Sequence, residues 1–396
     1  MRILVSDYSG HPFQVQLSRE LARRGHSVRH TYSAKFQTPK GNLKVAPDDP
    51  SGFEIVPVSN KRPFEKGTFF ARRQQEIEIG EALAEQVADF RPDVVLSSNA
   101  PLDTQRIFQR AAIGSGACFL FWLQDIYSEA ISRVVPRKFP VIGTFVAAWY
   151  RWLEFTMLRK SDGVIAITED FVPILKARGV PEERIAVIEN WAPLDELQVQ
   201  ERDNPWSATN MARDGLRIVY SGTLGYKHNP GLLLALARRL PQANVHVFSE
   251  GEVADKLARD ALAEGTTNLT VHPWVAFADL PCMLSAADIF VAVIEPEAGV
   301  YSVPSKILTY LAIGRPVLAS VPEENLAARL LLRNEAGQVA NPGDEKTFLD
   351  AAERLAADET SRIRLGDNGR AYAGRTFDIS NIGDRFVDFI DRIRRS

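Results

Sequence analysis

Short apolar runs alternate with longer amphipathic segments along almost the whole chain. An apolar run at Arg2–Ser6 is followed by a helical pattern at Phe13–Arg24, and a second apolar run follows at Val28–Tyr32. Because strands buried on both faces and helices that cover them give this alternation, we expect parallel sheets with helices on both faces. The same alternation predicts further strands at Val94–Ser97, Ala117–Trp122, Val164–Ile167, Leu216–Tyr220, Val245–Phe248, Leu269–Val271, Ile289–Ile294 and Pro316–Ala319, and helices at 68–90, Pro230–Arg239 and through most of 344–396.

The alternation is interrupted at residues 190–215. This segment is polar, contains two prolines and lacks a clear helical or strand period, as linkers do. A chain of 396 residues is also too long for one ordinary core. The sequence therefore predicts an α/β protein of two doubly wound, Rossmann-like domains at 1–195 and 196–375, with a cleft between them and a C-terminal helix at 376–396. Ligands of such sheets bind at the carboxyl ends of the strands.

Composition excludes several classes of function. The net charge is −3, so the molecule as a whole is not a polyanion binder and no nucleic-acid partner is expected. Cys118 and Cys282 lie far apart, which argues against a metal cluster and suggests a reducing compartment or ordinary packing. The N-terminus has no signal-peptide pattern, and no apolar run is long enough to span a bilayer. A cytoplasmic location is therefore expected.

The segment 291–317 predicts a phosphate site. It contains an apolar strand, a polar loop and a helix that begins beside Ser305 and Lys306, and a second strand follows. Such a corner directs backbone N–H groups, the positive end of a helix dipole and a lysine at one spot. The loop also carries Glu295 and Glu297, which can hold sugar hydroxyls. A diphosphate site beside a hydroxyl site indicates a nucleotide-sugar enzyme.

A second loop is also predicted to bind phosphate. Lys227 follows a strand and Gly222, and a glycine allows the backbone to approach a ligand closely. The alternative for Lys227 and Lys306 is a solvated surface lysine, and for Ser305 a helix cap. The predicted donor-binding residues are Gly10, Gly222, Lys227, Glu297, Gly299, Val300, Tyr301, Ser302, Ser305, Lys306 and Thr309.

Three residues of the first half are predicted to act on the substrate. Asp125 ends the strongly apolar segment ACFLFWLQD, at the carboxyl edge of the sheet. A carboxylate there can stabilise an oxocarbenium-like sugar or accept a proton, or it can simply cap the next helix. Gly10 and His11 follow the first strand, and His11 is the predicted acceptor-binding residue or only a helix start. No GxGxxG motif supports a nicotinamide site.

Residues 133–160 allow two interpretations. Apolar and aromatic side chains are flanked by basic residues at both ends, which fits a helix that lies in a membrane interface. Such a helix would bring the site to a lipid-linked acceptor and make the protein peripheral on the cytoplasmic face of the inner membrane. The alternative is a packing helix whose apolar face is internal.

Much of the chain resembles the family 4 retaining glycosyltransferases of the GT-B fold. The bacterial members that assemble extracellular and O-antigen polysaccharides, and that transfer amino sugars such as N-acetylfucosamine, are the most similar. The resemblance rests on DYSGHPFQVQLSRELARRGHSV (7–28), QDIYSE (124–129), YSGTLGYKHNP (220–230), FSEG (248–251) and PSKILTYLAIGRPV (304–317).

The resemblance implies different binding roles for the two domains. The domain at 196–375 would hold a nucleotide-diphosphate sugar, the domain at 1–195 the acceptor, and the helix at 376–396 would cross back to the N-terminal domain. No metal and no cofactor other than this co-substrate is implied. We therefore expect transfer of a sugar, an N-acetylated hexosamine, from a UDP-sugar to a saccharide or lipid-linked acceptor with retention, in cell-surface polysaccharide assembly.

Three positions depart from the family pattern. Thr223 stands where many members have arginine, and Tyr301 and Thr309 stand where many have glutamates. Two alternatives to a transferase are open. One is a nucleotide-sugar 2-epimerase, an isomerase on the same two-domain plan. The other is a non-catalytic scaffold subunit that binds a nucleotide sugar, and the three departures favour this alternative.

Overall fold

The chain forms two compact units. A computed structural model describes residues 1–36, 38–60, 69–98, 100–211, 214–225, 228–294, 301 and 303–395, and only the backbone of 69–71, 130, 133–134 and 136–138. The first unit contains residues 1–190 together with 379–396, and the second contains 191–378. The sequence placed this boundary at 195 and 196, and it predicted the helix at 376–396 separately.

A parallel sheet of seven strands forms the centre of the first unit. Its strand order is β3-β2-β1-β4-β5-β6-β7, so the chain lays strands outward on one side of β1 and then on the other. The strands are β1 (Arg2–Asp7), β2 (Ser27–Ser33), β3 (Phe53–Val58), β4 (Val94–Ser98), β5 (Cys118–Leu123), β6 (Gly163–Ala166) and β7 (Ile185–Val187).

Helices cover this sheet, and the last of them comes from the C-terminus. They are α1 (Pro12–Arg23), α2 (Phe69–Phe90), α3 (Leu102–Gly114), α4 (Tyr127–Lys138), α5 (Pro140–Lys160), α6 (Phe171–Ala177) and α15 (Ile379–Arg395). The apolar stripe of α15 faces inward: Phe386 is fully buried, and its ring centroid lies 4.9 Å from that of Trp122 on β5. Phe13 of α1 contacts the same indole at 5.7 Å. The C-terminal helix is therefore part of the core of the first unit.

The second unit repeats the plan with six parallel strands in the order β10-β9-β8-β11-β12-β13. The strands are β8 (Leu216–Ser221), β9 (Ala243–Phe248), β10 (Leu269–His272), β11 (Ile289–Val293), β12 (Val317–Ser320) and β13 (Gly337–Ala340). The helices are α7 (Pro205–Asn210), α8 (Pro230–Arg239), α9 (Glu252–Ala263), α10 (Leu280–Ser285), α11 (Ser305–Ile313), α12 (Leu326–Arg333), α13 (Glu345–Ala357) and α14 (Glu359–Thr376).

The predicted fold class of two parallel-sheet α/β domains is confirmed. The predicted strands are present with ends shifted by one or two residues, but β3, β7 and β13 were missed. These three strands are short or lie at sheet edges, where the apolar signal is weak. The segment 190–215, predicted to lack regular structure, contains α7. A capping box between Asn204 and Ser207, with Pro205 at the first position, begins this helix.

Close backbone packing fixes α11 against α14. Gly314 ends α11 in the left-handed conformation, with φ of 79°. A Cβ atom added to Gly366 on α14 would lie 2.3 Å from the carbonyl oxygen of Gly314, so the two helices approach as closely as a glycine permits. This contact holds the C-terminal end of α11.

We expect Gly366→Ala to destabilise the second unit by about 2 kcal/mol, because the added methyl group must push the helices apart. Gly374, on the same helix, is the control: a Cβ there meets no atom within 4 Å. Gly374→Ala should stabilise the unit by up to about 1 kcal/mol, since alanine favours helix. The midpoint of urea unfolding measures both, and equal midpoints would contradict the packing.

Candidate functional site

The predicted residues of the first unit lie where its sheet changes direction. β1 lies between β2 and β4, so the connections that follow β1 and β4 leave toward opposite sides of the sheet. In open parallel sheets this opening is the usual ligand site. Gly10 and His11 follow β1, and Asp125 follows β5, which is the strand after β4.

Asp7, the last residue of β1, organises this edge. Its carboxylate is fully buried and accepts hydrogen bonds from the backbone N–H groups of Ser9, at 3.1 Å, and of His11. It also lies 3.2 Å from Nδ1 of His11. Burial opposes the charge of Asp7, but the charge of His11 and its hydrogen bond lower the pKa below its usual value. Asp7 is therefore a buried carboxylate that orients His11.

The structure brings His11 and Asp125 together. Burial lowers the pKa of His11, but the nearby carboxylates of Asp7 and Asp125 outweigh this and raise it. The side chain of His11 remains 35% exposed, and Asp125 is half-buried. The predicted acceptor-binding residue therefore lies within electrostatic reach of the predicted catalytic residue, and both roles stay predictions. Sequence reasoning missed Asp7, although an acid at the end of a first strand, just before a glycine loop, is a recognisable signal.

Gly10 has a structural reason to be glycine. It adopts φ of +81°, and a Cβ there would lie 2.9 Å from Leu43. Its carbonyl accepts a hydrogen bond from the backbone of Gly41 at 2.9 Å. A covering loop at 40–43 therefore requires this glycine, and its predicted role in donor binding stays a prediction.

In the second unit, Gly222 and Lys306 meet at the corresponding place. β8 and β11 are neighbours at the change of direction, Gly222 follows β8, and Lys306 is the second residue of α11, which follows β11 in the chain. Nζ of Lys306 lies 3.7 Å from the ring centroid of Tyr220 and would lie 3.4 Å from a Cβ on Gly222. The ammonium group is thus held over an aromatic face beside the half-buried backbone of Gly222. Cationic charge and a helix N-terminus together suit an anion.

Tyr310 fixes this corner, and sequence reasoning missed it. Its hydroxyl accepts from the backbone N–H of Ser221 at 2.9 Å and donates to the carbonyl of the same residue at 3.2 Å. Its ring stacks on Phe290 of β11, with centroids 4.0 Å apart. The end of β8 is therefore tied to α11, one turn beyond Lys306.

The remaining predicted donor residues divide into two groups. Ser305 is exposed as the first residue of α11, where Pro304 and not Ser305 is the N-cap residue, while Tyr301 and Thr309 are half-buried. Several others lie outside the described residues, and these are Lys227, Glu297, Gly299, Val300 and Ser302. In the part of the chain that the structure describes, no group of three or more His, Cys, Asp or Glu side chains is placed to hold a metal ion.

The predicted membrane segment exposes large apolar side chains. The first two-thirds of α5 and the residue before it expose Phe139, Val141, Ile142, Phe145, Trp149 and Trp152, each between 46% and 74% exposed. We call these six residues the α5 apolar surface. The C-terminal half of α5 packs inside, with Leu153, Phe155 and Leu158 buried. Over the described ranges of the chain, the helices lack the length and apolar character that a membrane crossing requires.

Family models match both units. The model of the glycosyl transferase 4-like domain matches residues 11–191, and that of the glycosyl transferases group 1 matches residues 215–358. Solved structures share the fold over the whole chain. Sucrose-phosphate synthase from Thermosynechococcus elongatus has a TM-score of 0.75 at 16% identity, covering 100% of this chain and 99% of that one. The chain belongs to the glycosyltransferases of the GT-B fold.

Three other proteins are also similar to this chain. Anabaena HepE, in complex with UDP and glucose, has a TM-score of 0.72 at 16% identity and covers 99% of each chain. WaaG, described as a glycosyltransferase involved in lipopolysaccharide biosynthesis, has a TM-score of 0.69 at 16% identity, covering 98% of this chain and 99% of its own. The putative colanic acid biosynthesis glycosyl transferase WcaI of Escherichia coli strain K12 is 23% identical over 248 residues. That match spans 60% of this glycosyltransferase and 59% of WcaI.

We expect Asp125→Asn to lower the pKa of His11, because removing a nearby negative charge disfavours the imidazolium. NMR titration of the His11 ring protons measures this pKa. Asp93→Asn is the control, since Asp93 precedes β4 at the opposite edge of the sheet. A His11 pKa that does not respond to Asp125→Asn would show that the two side chains do not share a site.

Proposed function

We propose that this glycosyltransferase moves a sugar from a UDP-sugar to a saccharide or lipid-linked acceptor, with retention of configuration, in cell-surface polysaccharide assembly. An N-acetylated hexosamine is the proposed sugar. The observation that carries the proposal is the convergence of Lys306, the N-terminus of α11 and Gly222 at the sheet opening of the second unit. The names of HepE, WaaG and WcaI support UDP and a cell-surface polysaccharide.

The second unit is proposed to hold the donor. Lys306 and the first turn of α11 would bind the diphosphate and stabilise its charge as the glycosidic bond breaks. Gly222 leaves room for the diphosphate beside the ammonium group. Lys227 and the loop residues at 297–302 keep the donor-binding roles that the sequence predicts for them. The proposed reaction requires no metal and no cofactor beyond the nucleotide sugar.

The first unit is proposed to hold the acceptor. His11, oriented by the buried carboxylate of Asp7, would contact an acceptor hydroxyl. Asp125 would stabilise the positive charge that develops on the sugar. In a retaining transfer, an oxygen of the leaving diphosphate can take the acceptor proton on the same face.

Lys306→Met is expected to weaken UDP binding by about 10-fold to 100-fold, because a charge-assisted hydrogen bond to phosphate contributes about 1.5–3 kcal/mol. Isothermal titration calorimetry with UDP measures the affinity, and thermal denaturation checks that the variant folds. Lys346→Met is the matched control, since that lysine is 86% exposed on α13.

Undiminished UDP affinity in folded Lys306→Met would contradict the proposed donor site.

Incubation of the wild-type protein with a UDP-sugar alone separates the transferase from the isomerase. An epimerised sugar formed without acceptor would contradict the transferase. Sugar transfer that occurs only when acceptor is added would support it.

The α5 apolar surface is proposed to rest on the cytoplasmic face of the inner membrane. Aromatic side chains with both apolar and polar parts favour the interface, and the exposed Arg159 and Lys160 at the end of α5 favour anionic headgroups. Such contact would bring the first unit to a lipid-linked acceptor.

Phe145→Glu is expected to reduce binding to vesicles of phosphatidylethanolamine and phosphatidylglycerol by at least about 10-fold, because it places a negative charge in the apolar surface. Flotation through a density gradient measures the bound fraction. Leu262→Glu is the control, because Leu262 is 84% exposed on α9 of the second unit. A wild-type dimer that Phe145→Glu dissociates, with no vesicle binding, would instead assign the surface to a second copy of the chain.

A further inference from the structure

A buried carboxylate holds the start of α4. Glu154 lies on the packed half of α5 and is fully buried. Its Oε1 accepts a hydrogen bond from the backbone N–H of Tyr127 at 3.0 Å, and its Oε2 accepts one from Ser128 at 2.9 Å. Both oxygens are therefore used by consecutive amides of the first turn of α4.

The first turn of α4 depends on this side chain. The first N–H groups of a helix have no partner within the helix, and a side chain just before the helix usually accepts from them. Here the residue before α4 is Ile126, which has no acceptor, and no side-chain cap is formed. Glu154 supplies the cap from a different helix, and the helix dipole favours its negative charge.

Asp125 lies in the short connection that this cap holds. The connection at 124–126 leaves β5 and enters α4 at Tyr127. On the β5 side, the Gln124 side chain accepts a hydrogen bond from Asn190 at 2.6 Å. On the α4 side, Glu154 binds the amides of Tyr127 and Ser128, which are two and three residues after Asp125. The connection is therefore anchored at both ends.

We propose that Glu154 is a positioning residue, which holds the Asp125 carboxylate beside His11 by binding the first amides of α4. The inference rests on the proposed function, in which Asp125 stabilises the reacting sugar. In this scheme Glu154 acts on Asp125 through the backbone of the connection, by way of the amides of Tyr127 and Ser128.

The ionised form of Glu154 is the one that can make both contacts. A protonated carboxyl group converts one oxygen into a donor, so one of the two amides loses its acceptor. Burial, with a smaller contribution from the charge of Glu129 on α4, outweighs the hydrogen bonds from Tyr127 and Ser128 and raises the pKa of Glu154 to about 7. Glu129 is itself paired with Arg151 of α5 and faces Arg178 after α6. Transfer should therefore weaken as the pH falls through about 7.

Glu154→Gln tests the inference with almost no change in volume. The amide has one acceptor oxygen, and its NH₂ group faces a backbone donor. We expect kcat to fall at least about 10-fold while KM for the donor changes less than about 2-fold, because the donor site is in the other unit. The decrease of kcat as the pH falls through about 7, which we call the acid limb, should disappear from the pH profile of the variant. Exchange of the Tyr127 and Ser128 amides with deuterium should become at least about 10-fold faster.

Glu129→Gln is the matched control. It removes another contact between α4 and α5, the ion pair with Arg151, and leaves the amides of Tyr127 and Ser128 bound to Glu154. It should keep kcat at its plateau and the slow exchange of these amides, and it should move the acid limb to lower pH without abolishing it, because the charge of Glu129 no longer raises the pKa of Glu154. A loss equal to that of Glu154→Gln would show that any loosening of the helix pair suffices, which overturns the positioning role.

Asp125→Asn separates this inference from the proposed function. If Asp125→Asn abolishes transfer but Glu154→Gln keeps kcat and the acid limb, the positioning role is wrong and the proposed function stands. If Asp125→Asn leaves kcat unchanged, the role of Asp125 fails, and the inference fails with it. If Glu154→Gln does not fold, exchange in the wild-type chain decides: protection of the two amides must fall selectively as the pH drops through about 7, and constant protection overturns the inference.

Discussion

The strands of each unit run parallel, and this constraint places all strand ends of a unit along one edge of its sheet. The order of strands around β1, and again around β8, then opens the edge at one point. Residues that follow different strands are collected there without any requirement that they be neighbours in sequence. Asp7, His11 and Asp125 meet in this way in the first unit, and Gly222 and Lys306 in the second.

Charges at these edges are stabilised by short, directed contacts. Asp7 and Glu154 are both fully buried carboxylates, and each accepts hydrogen bonds from two backbone amides. In both groups, burial favours the neutral carboxyl group and the amide hydrogen bonds favour the ionised one. The balance of these two effects on the pKa differs between Asp7 and Glu154. The partner charge of His11 keeps the pKa of Asp7 low, whereas burial dominates for Glu154 and brings its pKa to about 7. One kind of contact thus gives a permanent charge in one place and a titrating group in another.

Particular residues show how far sequence reasoning reached. The corner at Ser305 and Lys306 was predictable, because a strand, a glycine-containing loop and a helix start are all local patterns. Asp125 was selected for the same reason, as an acid at the end of an apolar run, and its catalytic role stays a prediction. Tyr310 and Glu154 were missed, since each lies inside a helix with no local sign of its partner. Their partners, Ser221 and Tyr127, are 89 and 27 residues away in the chain.

By itself the sequence determined the alternation of strands and helices, the two α/β halves and the family resemblance, because each depends on residues that are near neighbours in the chain. The resemblance already implied that the helix at 376–396 crosses back to the N-terminal domain. Only the tertiary structure decided that Phe386 of α15 packs on Trp122 and that the charge of Asp125 acts on His11. It also decided that Glu154 caps α4. The physical reason is that such contacts depend on which helix faces meet across a sheet, and packing of the whole unit sets this rather than any local period.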